Sequence, residues 1–375
     1  MVAGGSVAGP DPTSPGHHLS GAGPRADCRS APACWGCASV SRLEVKKLCC
    51  HFATEGGRIE AVNGVSFSLA AGEAVGLVGE SGCGKTTLAL AVMGLLPPTA
   101  RVSGSVSFRG KNLLELSEAE KDLFRWRHIA MVFQNSAEVL NPMLSVGEQI
   151  AEPLRRHLGL GRREAEKRSQ ELLEMVGLGG EWACRYPHQL SGGMRQRALL
   201  ALALACEPEI LLVDEPTSSL DPDSREEILR LLAELQNRYG FSLLLISHDL
   251  SAVARLTSRL LVMYAGRVVE EGPTEEVIAR PMHPYTRGLI SSTPHLFPYR
   301  DLWGIPGETP GLKLPSGCAF HPRCTQAVEK CRQEAPGLAP LPGGRRVACH
   351  RGGIVTLLEA KGIRHEYQLA RGRRL

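Results

Sequence analysis

The sequence predicts an α/β fold with a mainly parallel sheet, on three observations. Short apolar runs alternate with helical stretches from Leu43 to about Gly272, the order that a parallel sheet with crossover helices produces. A glycine-rich loop joins one such run to a helical stretch, and another run ends in two adjacent carboxylates. The 375 residues suffice for one domain of about 250 residues with a full core, plus smaller appendages.

Composition narrows the function classes. A hydrophobic content of 43% is ordinary for a globular chain, and a formal net charge of +4 does not point to a nucleic acid. The longest strongly apolar run, Ala198–Cys206, falls far short of the roughly 20 residues of a spanning helix. The N-terminus carries no apolar core of the signal-peptide kind, which places the chain in the cytoplasm. Thiols stay reduced there, so clustered cysteines among the twelve point to metal rather than disulfides.

Taken in order, residues 1–40 are rich in Gly, Ala, Pro and Ser and are expected to be a disordered extension, or the product of a misassigned start. They hold Cys28, Cys34 and Cys37, whose C-x2-C lacks a second pair. Residues 41–275 form the main domain, with strands expected at Glu73–Val78, Ile129–Phe133, Ile210–Asp214 and Ser242–Ser247. Between about 137 and 190 the pattern turns helical and charged, as in Arg162–Val176, so a helical subdomain is inserted there. Residues 276–352 form a Pro- and Gly-rich extension holding Cys318, Cys324, Cys331 and Cys349, and residues 353–375 are a basic tail.

The motifs carry the chemistry. Gly79, Glu80, Ser81, Gly82, Cys83, Gly84, Lys85 and Thr86 fit G-x4-G-K-[ST], between an apolar strand and the helical run Thr87–Leu95. Such glycines let backbone N–H groups wrap phosphates at a helix N-terminus. Lys85 would reach the β- and γ-phosphates, and the Thr86 hydroxyl would ligate Mg²⁺. Asp214 and Glu215 close a buried strand, the first to hold Mg²⁺ and the second to polarise the attacking water. Leu190 to Gln196 supplies a second anion-binding turn at Ser191, Gly192 and Gly193. The chain already has its own phosphate site, so this turn makes sense against the γ-phosphate held by another subunit.

These motifs, in this order, resemble the ABC ATPase family over roughly residues 43–350. The resemblance implies a P-loop NTPase cassette with a RecA-like core, an antiparallel β region and an inserted helical subdomain, using ATP and Mg²⁺. It implies that two cassettes sandwich two ATP molecules head to tail. Residue by residue, Phe52 matches the aromatic that stacks on adenine, and Gln134 the glutamine that touches Mg²⁺ and meets the transmembrane partner. Ser219-Leu-Asp221 matches the loop coupling the two sites, with Asp221 as its acid, and His248 the histidine that contacts the γ-phosphate.

Within the family, a single cassette without fused membrane segments or a long insertion resembles an importer subunit. Phe133 to Pro142 is similar to the oligopeptide/dipeptide importer segment ending in Leu-Asn-Pro, although Asn135 and Ser136 replace its usual Asp-Pro. His283 to Leu289 and Gly317 to Cys324 resemble the C-terminal extension of that subfamily, parts of which nickel and antimicrobial-peptide importers share. The implied partners are a second cassette, two transmembrane permease subunits and an extracytoplasmic solute-binding protein, with no nucleic acid. The implied place is the cytoplasmic face of the membrane. A soluble ABC ATPase serving as an assembly factor or scaffold is the alternative. The spacing Cys318-x5-Cys324-x6-Cys331-x17-Cys349 suits either structural Zn²⁺ or an iron–sulfur cluster. Some members of the resembled family carry a [4Fe–4S] cluster at this motif, so the cluster is expected, with zinc and free thiols as the alternatives.

Overall fold

The computed structural model describes residues 41–54, 57–134, 139–293, 304–311 and 314–355. In chain order the strands are β1 (Ser41–Thr54), β2 (Gly57–Ala70), β3 (Ala74–Val78), β4 (Ala100–Phe108), β5 (Lys111–Asn112), β6 (Ile129–Val132), β7 (Ile210–Asp214), β8 (Ser242–Ile246), β9 (Arg259–Tyr264), β10 (Arg267–Pro273), β11 (Ala339–Pro340) and β12 (Arg346–Val347). The helices are α1 (Lys85–Met93), α2 (Glu118–Phe124), α3 (Val146–Leu158), α4 (Arg162–Met175), α5 (Gly192–Leu204), α6 (Pro222–Tyr239), α7 (Leu250–Leu256), α8 (Thr274–Ala279), α9 (Pro284–Ser291) and α10 (Glu329–Gln333).

The central sheet has the order β11-β12-β10-β9-β3-β8-β7-β6. Strands β9, β3, β8, β7 and β6 run parallel, and the β10 side is antiparallel. Every residue of β3, β6, β7 and β8 is buried, which is why these strands read as unbroken apolar runs. Alternate residues serve opposite faces. Ala74, Val78, Leu211 and Val213 join one core together with the helices α3 to α6. Val75, Leu77, Ile210 and Leu212 join the other, with α1 and the second sheet. That second sheet, β2-β1-β4-β5, is antiparallel and matches the expected antiparallel region.

The helical insertion starts from a capping box. The Ser145 hydroxyl accepts the Glu148 N–H at 3.3 Å, and the Glu148 carboxylate accepts the Ser145 N–H at 2.9 Å.

The C-terminal extension is not a separate module with its own core. Tyr285, Ile290 and Phe320 belong to the same core as Val78 and Val262. Its strand β12 pairs with β10, Glu270 opposite Val347, so it extends the central sheet. Proline, glycine and short apolar runs read as an appendage in the sequence, whereas the few large side chains go into the main core.

Candidate nucleotide-binding site

Strands β3, β7 and β8 are adjacent and parallel, so the loops after them meet at one end of the sheet. That is where open α/β sheets bind ligands. The loop after β3 needs its glycines. Gly79, Gly82 and Gly84 have φ of 157°, 78° and 101°. A Cβ on Gly79 would lie 2.1 Å from the Met263 carbonyl oxygen, and one on Gly84 2.0 Å from that of Ala61.

Helix α1 begins at Lys85, two residues before the expected Thr87, and Gly84 provides no side-chain cap. Its first N–H groups are therefore left for an anion. It ends at Gly94, whose left-handed φ of 63° suits a residue without a Cβ. Lys85 is buried and folds back on the loop, donating to the carbonyls of Gly79 at 2.8 Å and Glu80 at 3.0 Å.

Asp214, at the end of β7, is 1% exposed, and neither carboxylate oxygen has a hydrogen-bond partner. Burial raises its pKa above the ordinary carboxylate range. The Thr86 hydroxyl lies near enough to oppose this without completing a hydrogen bond, Glu215 adds to the rise, and Lys85 lowers it. A buried acid without a partner, beside a hydroxyl, fits a divalent cation.

Glu215 adopts φ 49°, a left-handed conformation uncommon for a residue with a Cβ. Its N–H bonds the Ile246 carbonyl at 2.9 Å, tying it to β8. The turn delivers its carboxylate to His248, with Nδ1 2.5 Å from Oε2. The structure thus brings Lys85, Thr86, Asp214, Glu215 and His248 to one end of the sheet.

Strand β6 pairs in parallel with β7, Val132 opposite Val213, so the chain after it leaves the sheet at this same end. Gln134 is exposed just beyond β6, which ends at Val132, and Asn135 and Ser136 are outside the described residues. Phe52 lies on β1 opposite Ile59 and Ala100, half-buried and outside both cores. Ser191 is exposed and caps α5, its hydroxyl accepting the Met194 N–H at 3.3 Å. Gly192 and Gly193 open that helix, and a Cβ on Gly193 would meet Ser224 at 3.2 Å. Asp221 caps α6 by accepting the Ser224 N–H at 2.9 Å. These two helix starts therefore lie side by side on an open surface.

Two contacts to the phosphate-binding loop were not foreseen, although their residues lie in the segments His283 to Leu289 and Gly317 to Cys324 already singled out. Tyr285 accepts the Glu80 N–H at 2.7 Å, and Arg323 pairs with the Glu80 carboxylate at 2.8 and 3.0 Å. They come from 205 and 243 residues further along the chain.

Residues 62–218 match the family described as ABC transporter, and residues 269–331 match the C-terminal region of the oligopeptide/dipeptide transporter. The chain is 44% identical over 323 residues to a probable peptide ABC transporter ATP-binding protein, y4tR, of Sinorhizobium fredii, covering 84% of this chain and 96% of that one. This chain belongs to the ABC transporter ATP-binding family. An ABC cassette of oligopeptide type also stands in Salmonella typhimurium, where the oligopeptide transport ATP-binding protein OppD is 43% identical over 82% of this chain and 93% of its own. The dipeptide transport ATP-binding protein DppD of Haemophilus influenzae is 42% identical over 88% and 99%. Among solved structures, the ABC cassette MJ0796, a dimer bound to ADP and Pi, superposes with a TM-score of 0.56 at 30% identity, covering 62% of this chain and 98% of that one.

The C-terminal cysteines expected to hold a metal come together in the fold. Cys318, Cys324, Cys331 and Cys349 do line one cavity, together with His283, His321 and His350. However, among the described residues no three or more His, Cys, Asp or Glu side chains are set to hold a metal ion. The cavity has about 20 Å³ of free space, room for about one water. Burial, opposed by a backbone hydrogen bond and reinforced by the neighbouring cysteines, raises the Cys318 and Cys324 thiols. The earlier pair Cys34 and Cys37, with Cys28, lies outside the described residues.

Proposed function

We propose that this cassette powers uptake of oligopeptides or dipeptides by hydrolysing ATP at the cytoplasmic face of a membrane. The observation that carries the ATPase reading is the convergence at one sheet end. The open N-terminus of α1, the unpartnered Asp214 and the Glu215–His248 pair all meet there. The peptide reading rests on the match of residues 269–331 to the oligopeptide/dipeptide C-terminal region, and on relatives whose names specify peptides. No helix among the described residues is long and apolar enough to cross a membrane. The partners are a second cassette, two permease subunits and an extracytoplasmic solute-binding protein.

The residues divide the work. Backbone N–H groups of Gly82, Cys83 and Gly84 with the start of α1 receive the phosphates, and Lys85 leaves the loop carbonyls for the β- and γ-phosphate oxygens. Thr86, Asp214 and Gln134 would hold Mg²⁺, which when bound offsets negative charge on the phosphates. Phe52 stacks on the adenine. Glu215 orients and polarises the attacking water, and His248 passes from Glu215 to the γ-phosphate. Ser191, Gly192 and Gly193 cap the nucleotide of the partner cassette, with Asp221 alongside. Closure of the pair on ATP and reopening after hydrolysis drive the permeases.

Glu215→Gln should abolish steady-state hydrolysis while ATP still binds, because the phosphates are held by Lys85 and backbone. Turnover within a few-fold of wild type would remove Glu215 from this role. The four tail cysteines are proposed to hold a [4Fe–4S] cluster, with zinc as the alternative, after the thiols ionise and spread. What supports this is the pooling of four thiols around one cavity. Anaerobic protein should then be brown with about four irons per chain, and Cys324→Ser should bleach it. Colourless protein free of iron and zinc would end the proposal.

A further inference from the structure

The phosphate-binding loop is held from outside the nucleotide core by the C-terminal extension, and the contact falls on one residue, Glu80. Three groups of Glu80 are engaged at once. Its N–H donates to Tyr285 Oη at 2.7 Å. Its carbonyl accepts from Lys85 Nζ at 3.0 Å and from the Cys83 N–H at 3.3 Å. Its carboxylate takes Arg323 in a two-point pair, at 2.8 Å to Nη1 and 3.0 Å to Nη2. Parallel N–H···O bonds of this kind fix orientation as well as distance.

The holding groups are themselves fixed. The Arg323 side chain is 6% exposed, and its Nε donates to the Pro306 carbonyl at 2.9 Å. The guanidinium lies over the rings of Tyr264 and Phe320, at 5.8 and 6.0 Å from their centroids. Tyr264, Tyr285 and Phe320 pack in a three-ring cluster with centroids 4.5 to 5.6 Å apart. Neither Arg323 nor Tyr285 touches the reacting atoms. They act through the Glu80 peptide, which also receives the Lys85 ammonium.

We propose that Arg323 and Tyr285 are positioning residues for ATP binding, so that the C-terminal extension is a working part of the nucleotide site. The proposal rests on the ATPase reading above. Two physical effects follow from the geometry. The pair fixes the second residue of the loop, and so the path that Lys85 takes to the phosphates. It also balances a carboxylate that otherwise adds negative charge beside a triphosphate. An uncompensated charge in a partly buried site is costly, and that cost grows when phosphates arrive.

The test uses the full chain and Mg-ATP. Arg323→Gln should raise the Kd and KM for ATP about tenfold or more with kcat changed less, and Arg323→Lys should fall between it and wild type. Removing both charges, in Glu80→Gln with Arg323→Gln, should recover most of the lost affinity. A structural role alone lowers the melting temperature of the apo chain without that recovery. Wild-type ATP affinity in Arg323→Gln would overturn the proposal, as would a double variant no better than the single one. If Arg323→Gln fails to fold, the Arg323→Lys and double variants decide by the same criteria. Wild-type chain that binds no ATP would overturn the ATPase reading itself, and this proposal with it.

Discussion

Glu215 must reach forward from β7 to the place where water would attack, and its left-handed φ of 49° turns the chain to do so. Conformations of this kind cost on the order of 1–3 kcal/mol and persist where surroundings impose them. Here the bond from its N–H to the Ile246 carbonyl imposes it. Gly84 shows the opposite case, a conformation that no other residue can take. Its φ is 101°, and an added Cβ would stand 2.0 Å from a backbone oxygen. Gly84→Ala should therefore lower stability by about 2–4 kcal/mol and abolish ATP binding, because the loop must move at the start of α1. Urea unfolding and ATP titration would check both, and wild-type affinity would contradict the assignment. The motif residues were legible because phosphate chemistry demands particular residue types at fixed spacing. The Glu80–Arg323 pair was not, since nothing in a sequence marks an ion pair between residues 243 apart.

Among the elements, the parallel strands were the easiest to see. Burial on both faces makes β3, β7 and β8 apolar runs, and their expected bounds differ from the observed ones by a residue at most. The long hairpin of β1 and β2 was not assigned strand by strand. Its register shifts between Ser41 and Leu43, Val45 and Leu48, Leu48 and Cys50, and Cys50 and His51. Each shift breaks the alternation on which strand reading depends. The two-residue strands β11 and β12 are too short to leave a pattern at all. In the helical insertion the decisive local signal is the cap of α3. Ser145→Ala removes the acceptor for the Glu148 N–H and should cost about 1 kcal/mol. The unfolding midpoint should drop while ATP affinity stays unchanged, because Ser145 lies outside the nucleotide site. An unchanged midpoint would mean that packing alone holds the helix start.

For the whole molecule, the question is what joins the C-terminal extension to the cassette. The joins run through the buried Glu270, which accepts the N–H groups of Met282 and His283 at 2.8 Å each and the Arg345 guanidinium at 2.6 Å. Inside the extension, His283 holds the segments that make these joins. It caps α9, and its Nδ1 accepts the Tyr285 N–H at 3.0 Å, so Nδ1 carries no proton. The ring also bonds the backbone of Ala348, beside β12. Burial lowers its pKa from 6.5 to about 3, the Ala348 contact opposing this weakly. Between those values the unfolded chain binds the extra proton and the folded chain does not. Stability from this group is therefore complete above about pH 6.5 and is lost as pH falls toward 3. From pH 7.5 to 5.5 the loss should be about 1.4 kcal/mol from His283 alone. His283→Asn keeps an acceptor near the Tyr285 N–H but cannot titrate. It should be less stable than wild type at pH 7.5 and lose less on acidification. Hydrogen exchange at Ala348, whose N–H bonds the Val269 carbonyl at 2.8 Å, would follow the join directly. Equal slopes in the two proteins between pH 7.5 and 5.5 would show that His283 is not the group that costs stability as pH falls.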